Sequence, residues 1–436
     1  MSEVKGSALV WFRNDLRTVD HKGLKKAVDS GHNVIAYYTF NPRHYKTLAW
    51  GFKKKERFRS QFLIESVRAL KASLKGFNIS LIIDSKPPEE GLPKWIKKHQ
   101  VKQIYLQHEW TQEEKKEEEA LAQKIDPSID WKRHYEQFLF HPNDLTFSRP
   151  QIPEVFSAFR KHCEKEIEVR PLSTPLSPLD PSNLIEGAGK LPSLYDLGLE
   201  SVEREERTAF PFSGGTATGM ERLDEYFWKS KKLSYYKNTR NGLLGIDYSS
   251  KFSPWLANGS LSPKMIYWEI KRYEKEIQKN QSTYWLIFEL IWRDYFKFIS
   301  LKHGNKVFKI GGIKEREYHW KTDGKLFSEW AEGRTSEPFV NANMIELNQT
   351  GWMSNRGRQN VASFLAKDMK MDWRVGAAYF ESLLVDYDVH SNYGNWMYLS
   401  GVGNDPRDRK FEVQWQAKRY DPLGKFQKLW LQKTLF

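Results

Sequence analysis

The sequence GWMSNRGRQNVASFLAKDMKMDWRVGAAYFESLLVDYDVHSNYGNWMY, residues 351–398, holds two helical patterns followed by a dense run of polar side chains. In the first pattern Val361, Phe364 and Leu365 recur at the spacing of one helix face, after a small or amide residue that can start the helix. The second pattern fits residues 373–385, where alanine, phenylalanine and leucine side chains fall on one face. We therefore predict two apolar helices in this part of the chain.

The polar run that follows, residues 386–395, carries acidic and amide side chains too densely for a core helix. Asp386 and Asp388 are two residues apart, so they would diverge on a helix. A helix-capping loop explains these residue types, since Asp, Asn and Gly favour turns, and a ligand-binding turn explains them equally well. A calcium loop does not fit, because the required Gly and later Glu are missing. We predict a polar turn through residue 395 that caps helices or holds a ligand.

The first 137 residues alternate between buried-strand patterns and helical patterns. Strand patterns cover residues 8–13, 33–40, 79–84, 103–107 and 131–134, with helical patterns near residues 20–30, 52–74, 88–99 and 111–124. This alternation argues for a parallel sheet with helices on both faces. Residues 1–137 are therefore predicted to form a Rossmann-like α/β domain. Its acidic cluster, residues 113–119, is predicted to be a solvent-facing side of a helix.

The remainder of the chain divides at a proline-rich segment. Eight prolines interrupt residues 138–205, which leave room for one short helix near residues 154–164 and are predicted to be an inter-domain connector on the surface. Helical patterns dominate residues 206–436, for example at residues 263–279 and 282–302, and predict an all-helical domain. The fold class is thus α/β plus all-α.

Composition narrows the function further. The 436 residues carry a net charge of +14 and a pI of about 9.4, which favours binding of a polyanion such as nucleic acid. No apolar run is long enough to span a membrane, and the N-terminus lacks the pattern of a secretion signal. The single cysteine, Cys163, suits a reducing compartment. We expect a cytoplasmic monomer without a metal.

Several motifs combine polar and aromatic side chains in ways that point to a bound cofactor. Hydroxyls, a cation and loop amides before a helix make a workable pyrophosphate site, although a serine-rich loop or an ordinary ion pair explains the same residues. The motifs are WFRNDLR at 11–17, YKNTR at 236–240, YSSKFS at 248–253, ELIWR at 289–293 and QAKRYDPLGK at 416–425. With residues 351–398 they resemble the photolyase/cryptochrome family, and specifically its DASH branch, over nearly the whole chain.

The resemblance implies that the helical domain binds flavin adenine dinucleotide (FAD) non-covalently. It assigns Asn392 to the reactive nitrogen of the flavin, where an asparagine favours the fully reduced state needed for repair. The cofactor itself carries out the redox step. The implied FAD-binding residues are Tyr236, Ser249, Ser250, Lys251, Phe252, Ser253, Glu289, Arg293, Asn355, Arg358, Asp386, Asp388 and Asn392.

The resemblance also implies an electron relay and a substrate pocket. Trp396, Trp373 and Trp320 match the family's tryptophan triad for photoreduction, although each alone fits an ordinary core residue. The implied catalytic residues are Glu289, Trp292 and Asn355, and the implied DNA-binding residues are Arg240, Trp292, Arg356, Gln359 and Tyr398. Tyr398 and Gln359 replace the Trp and Met of duplex-repairing photolyases, which makes the pocket wetter. Glu289 would act as a hydrogen-bond donor if burial raises its pKa.

The implied activity is that of a deoxyribodipyrimidine photo-lyase driven by blue light. Excited reduced flavin passes an electron to a cyclobutane pyrimidine dimer, preferentially in single-stranded DNA, the ring splits, and the electron returns. The resemblance further implies an antenna pterin, 5,10-methenyltetrahydrofolate, with His44 and Glu109 as candidate ligands. One alternative is a signalling photoreceptor that binds DNA without significant repair. Another is a flavin-containing nucleic-acid binder with incidental photochemistry.

Overall fold

The N-terminal part of the protein is built on a five-stranded parallel sheet. A computed structural model describes residues 6–405 and 407–432. The sheet has the strand order β3-β2-β1-β4-β5, with every neighbouring pair parallel. Its strands are β1 Ser7–Trp11, β2 Asn33–Thr39, β3 Ser80–Asp84, β4 Val101–Gln107 and β5 Asp130–His134. The predicted parallel α/β architecture is confirmed.

Apolar side chains leave both faces of this sheet. Because successive side chains on a strand point to opposite sides, Ala8 and Val10 enter one apolar cluster while Leu9 and Trp11 enter the other. Helices α1 and α2 cover the first face, and α3 and α4 cover the second. These helices are α1 Lys22–Asp29, α2 Arg57–Lys75, α3 Pro88–Lys98 and α4 Gln112–Ala122.

The acidic cluster on α4 is only partly solvent-facing, which corrects the prediction. Glu118 is buried and accepts from Arg13 and Arg133, each at 2.8 Å. Glu117 accepts from the amide of Asn41 at 2.5 Å. The acidic cluster is polar throughout its sequence. Two of its carboxylates nevertheless face the protein, because arginine and asparagine side chains from other segments bind them.

The predicted connector, residues 138–205, is not on the surface throughout, which corrects the prediction. Phe138, Leu139 and Phe140 are buried in the core of the helical domain, as are apolar residues of helix α5, Phe156–Glu166. The buried carboxylate of Asp294 accepts from the amides of Leu139 at 2.9 Å and Phe140 at 2.7 Å. The second half of the segment, by contrast, is largely exposed.

Helices make up the rest of the described chain. Helix α10 lies at the centre, with apolar residues on most of its surface and contacts to α5, α7, α9 and α15. The helices are α6 Thr216–Asp224, α7 Tyr236–Thr239, α8 Ser253–Ala257, α9 Pro263–Glu276, α10 Gln281–His303, α11 Gly324–Ala331, α12 Pro338–Thr350, α13 Asn355–Ser363, α14 Trp373–Leu383, α15 Val389–Ser400, α16 Val413–Tyr420 and α17 Lys425–Leu431. None of the described helices combines the length and apolar composition needed to cross a bilayer.

The prediction that the polar turn extends through residue 395 is wrong. The turn comprises only residues 386–388, and helix α15 begins at Val389. Asp388 caps this helix by accepting from the amide of Ser391 at 2.8 Å. Asn395 lies within this helix, where its side-chain amide donates to the carbonyl of Ser391 at 2.8 Å. Local hydrogen bonds thus let a polar segment form a buried helix.

Candidate functional site

A cavity of about 450 Å³ opens in the helical domain. Its wall comes from α10, the loop before α8, the start of α13, the turn 386–388 and helix α15. Motifs that are far apart in sequence therefore meet around one space. The predicted site residues that line it are Tyr236, Arg240, Ser249, Ser250, Lys251, Phe252, Ser253, Glu289, Trp292, Arg293, Asn355, Arg356, Arg358, Gln359, Asp386, Asp388 and Tyr398.

One predicted FAD residue, Asn392, is not among the residues that line the cavity, although its neighbour Ser391 is. Asn392 is buried, and its side-chain amide donates to the carbonyl of Ala377 in α14 at 3.0 Å. Other lining residues were not predicted, including Trp352, whose indole Nε1 donates to the hydroxyl of Tyr248 at 3.1 Å. Trp352 lies within residues 351–398 and Tyr248 begins the YSSKFS motif, so their place in these stretches is the only sequence signal for either residue.

The turn 386–388 presents two carboxylates to the cavity, each with cationic partners. Arg358 Nη2 lies 3.0 Å from Asp386 Oδ1. Asp388 accepts from Lys297 at 2.8 Å and lies 4.0 Å from Arg293. Burial alone would raise the pKa of Asp388, but the two cations hold it well below its usual value. Because Arg293 and Lys297 are four residues apart on α10, one helix face supplies both charges.

Lys251 is a buried cation that other side chains leave available. Its residue is 2% exposed, and its Nζ has no hydrogen-bond partner within residues 6–405 and 407–432. The ammonium lies over the ring of Tyr248, 3.1 Å from the centroid, and over that of Trp352 at 4.7 Å. Burial lowers the pKa of Lys251 well below its usual value, and burial raises that of nearby Glu346 to about 8. A buried donor of this kind fits an anionic ligand group.

Glu346 yields a prediction for the pH dependence of stability. Between its usual pKa of 4.5 and its folded value of about 8, the folded protein keeps a proton that the unfolded chain releases. Stability therefore falls as the pH rises through this window, by at most about 5 kcal/mol. Glu346→Gln should remove that part of the slope when the melting temperature is followed against pH. Parallel curves for the two proteins would contradict the prediction.

The opposite side of the cavity combines an acid with an aromatic stack. Glu289 Oε1 lies 2.7 Å from Arg240 Nη2, and 29% of its side chain is exposed while it lines the cavity. Burial raises the pKa of Glu289, opposed by the charge of Arg240. Trp292 stacks face to face on Phe156, with ring centroids 3.5 Å apart and planes within 9°. The site thus offers a rigid aromatic surface beside a carboxyl group with raised proton affinity.

The three tryptophans of the predicted relay lie in adjoining segments. Trp396 is buried, and its ring edge packs against Gly376, where an added Cβ would approach it to 2.2 Å. Gly376 is one turn after the buried Trp373 on α14. Trp320 is half-buried and precedes Lys321, which pairs with Met371 two residues before Trp373. This arrangement is compatible with stepwise transfer, and the relay stays a prediction.

A second cavity, of about 380 Å³, lies between the sheet domain and the helical domain. His44 and Glu109, the two predicted antenna residues, both line it. Burial raises the pKa of Glu109 to about 7 and lowers that of His44 well below its usual value. Arg293 and Asp388 line both cavities, so the two spaces share a wall.

Comparisons with known proteins agree with this arrangement. Residues 8–179 match a family model described as "DNA photolyase", and residues 285–434 match one described as "FAD binding domain of DNA photolyase". "Cryptochrome DASH" of Synechocystis sp. is 46% identical over 436 residues, covering 99% of this chain and 88% of its own. The chain belongs to the DASH branch of the photolyase/cryptochrome family.

Other relatives match over most of their length. "Cryptochrome DASH" of Xenopus laevis is 47% identical, covering 96% of this chain and 81% of its own. The crystal structure of Synechocystis sp. cryptochrome superposes with a TM-score of 0.90 at 44% identity, covering 99% of this DASH family chain and 89% of that one. The crystal structure of a class III photolyase from Agrobacterium tumefaciens superposes with a TM-score of 0.82 at 26% identity, covering 99% of this chain and 87% of that one.

The chemistry of the 450 Å³ cavity fits FAD, as the family's FAD-binding domain requires. A dinucleotide brings a diphosphate, ribityl hydroxyls and a ring with both donors and acceptors. The cavity offers matching groups: the Lys251 ammonium, which has no hydrogen-bond partner among the described residues, the serine hydroxyls of the 249–253 loop, and the carboxylates of the 386–388 turn. In the described part of the chain, no group of three or more His, Cys, Asp or Glu side chains could hold a metal ion.

Proposed function

We propose that this DASH cryptochrome is a light-driven lyase that splits cyclobutane pyrimidine dimers, with a preference for single-stranded DNA. One observation carries the proposal. A single cavity is lined both by the residues expected to hold FAD and by Glu289, Trp292 and Asn355, which are expected to meet the dimer. Substrate and cofactor would therefore occupy one space, with no barrier of protein between them.

In this proposal Lys251 and the serine hydroxyls hold the FAD diphosphate through charge and hydrogen bonds. The Arg358–Asp386 pair and Asp388 orient the remainder of the cofactor. The family resemblance implies that Asn392, which adjoins the lining residue Ser391, favours the reduced state. Bound reduced FAD supplies the electron for ring splitting when it absorbs blue light, and receives it back.

The chain's own residues would bind and polarise the dimer. Trp292, held flat against Phe156, offers a stacking surface to one base of an extruded dimer. Burial raises the pKa of Glu289 against the charge of its partner Arg240, and when protonated the carboxyl would donate a hydrogen bond to a carbonyl oxygen gaining negative charge. The Oε1 atom of Gln359 is buried without a partner among the described residues, so it can accept from a base N–H.

The preference for single strands follows from the cost of reaching the base. Extruding a dimer from a duplex costs a few kcal/mol, and less from a strand that is already single. Tyr398 and Gln359 are polar where duplex-repairing photolyases place Trp and Met, so this pocket recovers less of that cost. Thymine recovery should therefore be faster from a dimer in a single strand or an unpaired loop than in a duplex. Equal rates on all three substrates would contradict the preference.

We further propose that the 380 Å³ cavity takes an antenna pterin, 5,10-methenyltetrahydrofolate. Glu109, which accepts from Gln107 at 2.6 Å, can bind the N–H groups of the pterin ring. Lys54 and Lys55 line the same cavity and can meet the carboxylates of the folate tail. Because this cavity shares a wall with the FAD cavity, a chromophore there would lie close enough to pass excitation to the flavin.

Glu109→Ala should abolish most pterin binding while leaving FAD bound. Losing a charged hydrogen bond costs about 1.5–3 kcal/mol, or about 10- to 150-fold in affinity. The near-ultraviolet band of protein reconstituted with the pterin measures this directly. Glu119→Ala is the control, since Glu119 is an exposed glutamate on the neighbouring helix α4 and does not line the cavity. Pterin binding that survives Glu109→Ala would refute the assignment.

A further inference from the structure

Next to the mouth of the FAD cavity, cationic and aromatic side chains alternate. Arg356 lines the cavity, and its guanidinium lies 4.4 Å from the ring centroid of Tyr420 on α16. Arg419 lies 5.6 Å from the Tyr420 ring and 5.1 Å from the ring of Trp415. These four residues, Arg356, Tyr420, Arg419 and Trp415, form a continuous row that we call the stacking row.

The charges of this row are available to an anion. Neither Arg356 nor Arg419 has a carboxylate within 4.0 Å among the described residues. Arg356 donates to the side-chain oxygen of Asn241 at 3.0 Å, while its buried Nε lacks a partner in the described part of the chain. Lys418 adds a further exposed cation in the last turn of the same helix. Protein side chains thus leave most of this positive charge uncompensated.

The aromatic end of the row is also open. Trp415 is 52% exposed, so about half of its residue surface is not covered by the described part of the chain. Arg419 holds one side of the ring, four residues later on the same helix. Aromatic faces beside a positive groove are the features by which proteins bind single-stranded nucleic acid without reading its sequence.

We infer that the stacking row binds the nucleotides flanking the lesion in a single-stranded DNA substrate. The inference rests on the proposed function for the identity of the group in the cavity. Arg356 and Arg419 contact backbone phosphates as the strand leaves the cavity, and a flanking base stacks on the open face of Trp415. The row therefore adds affinity for a strand but none for an isolated dimer. A duplex base pair cannot present an unstacked base to Trp415.

The test compares two probes on the FAD-loaded protein in the dark: an isolated thymine-dimer dinucleotide and the same dimer within a long single-stranded oligothymidylate. Trp415→Ala should weaken binding of the long strand about 5- to 150-fold, from a stacking contribution of about 1–3 kcal/mol, and leave the dinucleotide unchanged. Trp415→Phe should retain most of the affinity because it keeps an aromatic face. Arg419→Gln should lower the slope of log K against log salt by about 0.7.

Trp268→Ala is the control, since Trp268 is also an exposed indole, 38% exposed, on α9 and absent from the cavity wall. Unchanged binding of the long strand by Trp415→Ala would overturn the inference. Equal weakening for both probes would also overturn it, since the residue would then act through the cavity. If the wild-type protein repairs no dimer yet binds the long strand through Trp415, the proposed function fails and the stacking row stands.

Discussion

Trp396→Phe should nearly abolish photoreduction of oxidised flavin while the chemically reduced protein still repairs dimers. Trp396 packs its ring edge against Gly376, one turn from Trp373, so phenylalanine would leave a poorly oxidisable group at the first position of the predicted relay. A slowing of at least about tenfold is expected, since only 1.4 kcal/mol added to the barrier gives that factor. Flavin absorbance under blue light with an external reductant measures the rate.

Trp330→Phe provides the matched control for this experiment. Trp330 is fully buried, its ring centroid lies 6.2 Å from that of Trp396, and it is not part of the predicted relay. It should therefore photoreduce at close to the wild-type rate. If both variants fail equally, packing around the tryptophans explains the loss. If Trp396→Phe loses photoreduction and repair by reduced enzyme together, Trp396 has a different role.

Trp292→Ala should lower the second-order rate of dimer repair by about 5- to 150-fold, corresponding to the 1–3 kcal/mol expected of one stacked base. The loss arises because the ring held flat against Phe156 is the broad surface expected to receive the dimer. Trp292→Phe keeps a stacking face and should retain most of the activity. Thymine release from a single-stranded substrate, with pre-reduced protein, gives the rate.

Flavin content must be measured in the same samples, because Trp292 also lines the cavity proposed for FAD. The prediction requires Trp292→Ala to keep its flavin absorbance while losing repair. Full repair activity by this variant would remove Trp292 from the substrate pocket. Loss of flavin along with repair would instead place the residue among the groups that hold the cofactor.

Sequence reasoning predicted the fold well where a single segment carries the pattern. The strands of the sheet are short apolar runs between helical patterns, so their alternation was readable without tertiary information. The prediction of a surface connector failed for its first residues. Their proline-rich composition indicates a surface, whereas the buried Asp294 carboxylate accepts from backbone amides of this segment and holds it in the core. Helix α15 was misread because Asp388 acts as its cap, which composition cannot distinguish from a longer turn.

The site was predictable to the extent that motifs could be matched to a family. That match gathered residues from distant segments, and all but Asn392 of the predicted FAD and DNA residues line one cavity. The hydrogen bond from the Asn392 side-chain amide to the carbonyl of Ala377 depends on how α14 and α15 pack, and no local sequence pattern reveals that packing. The stacking row was equally invisible, since Arg356 and Tyr420 are far apart in sequence and meet only in the fold.

Repair itself is the direct test of the central claim that one cavity joins flavin and dimer. Single-stranded DNA carrying a thymine dimer is mixed with the reduced, FAD-loaded protein and divided between blue light and darkness. We predict recovery of intact thymines in the light and none in the dark. Absence of recovery in the light from protein that retains its reduced flavin would contradict the account and favour a signalling photoreceptor.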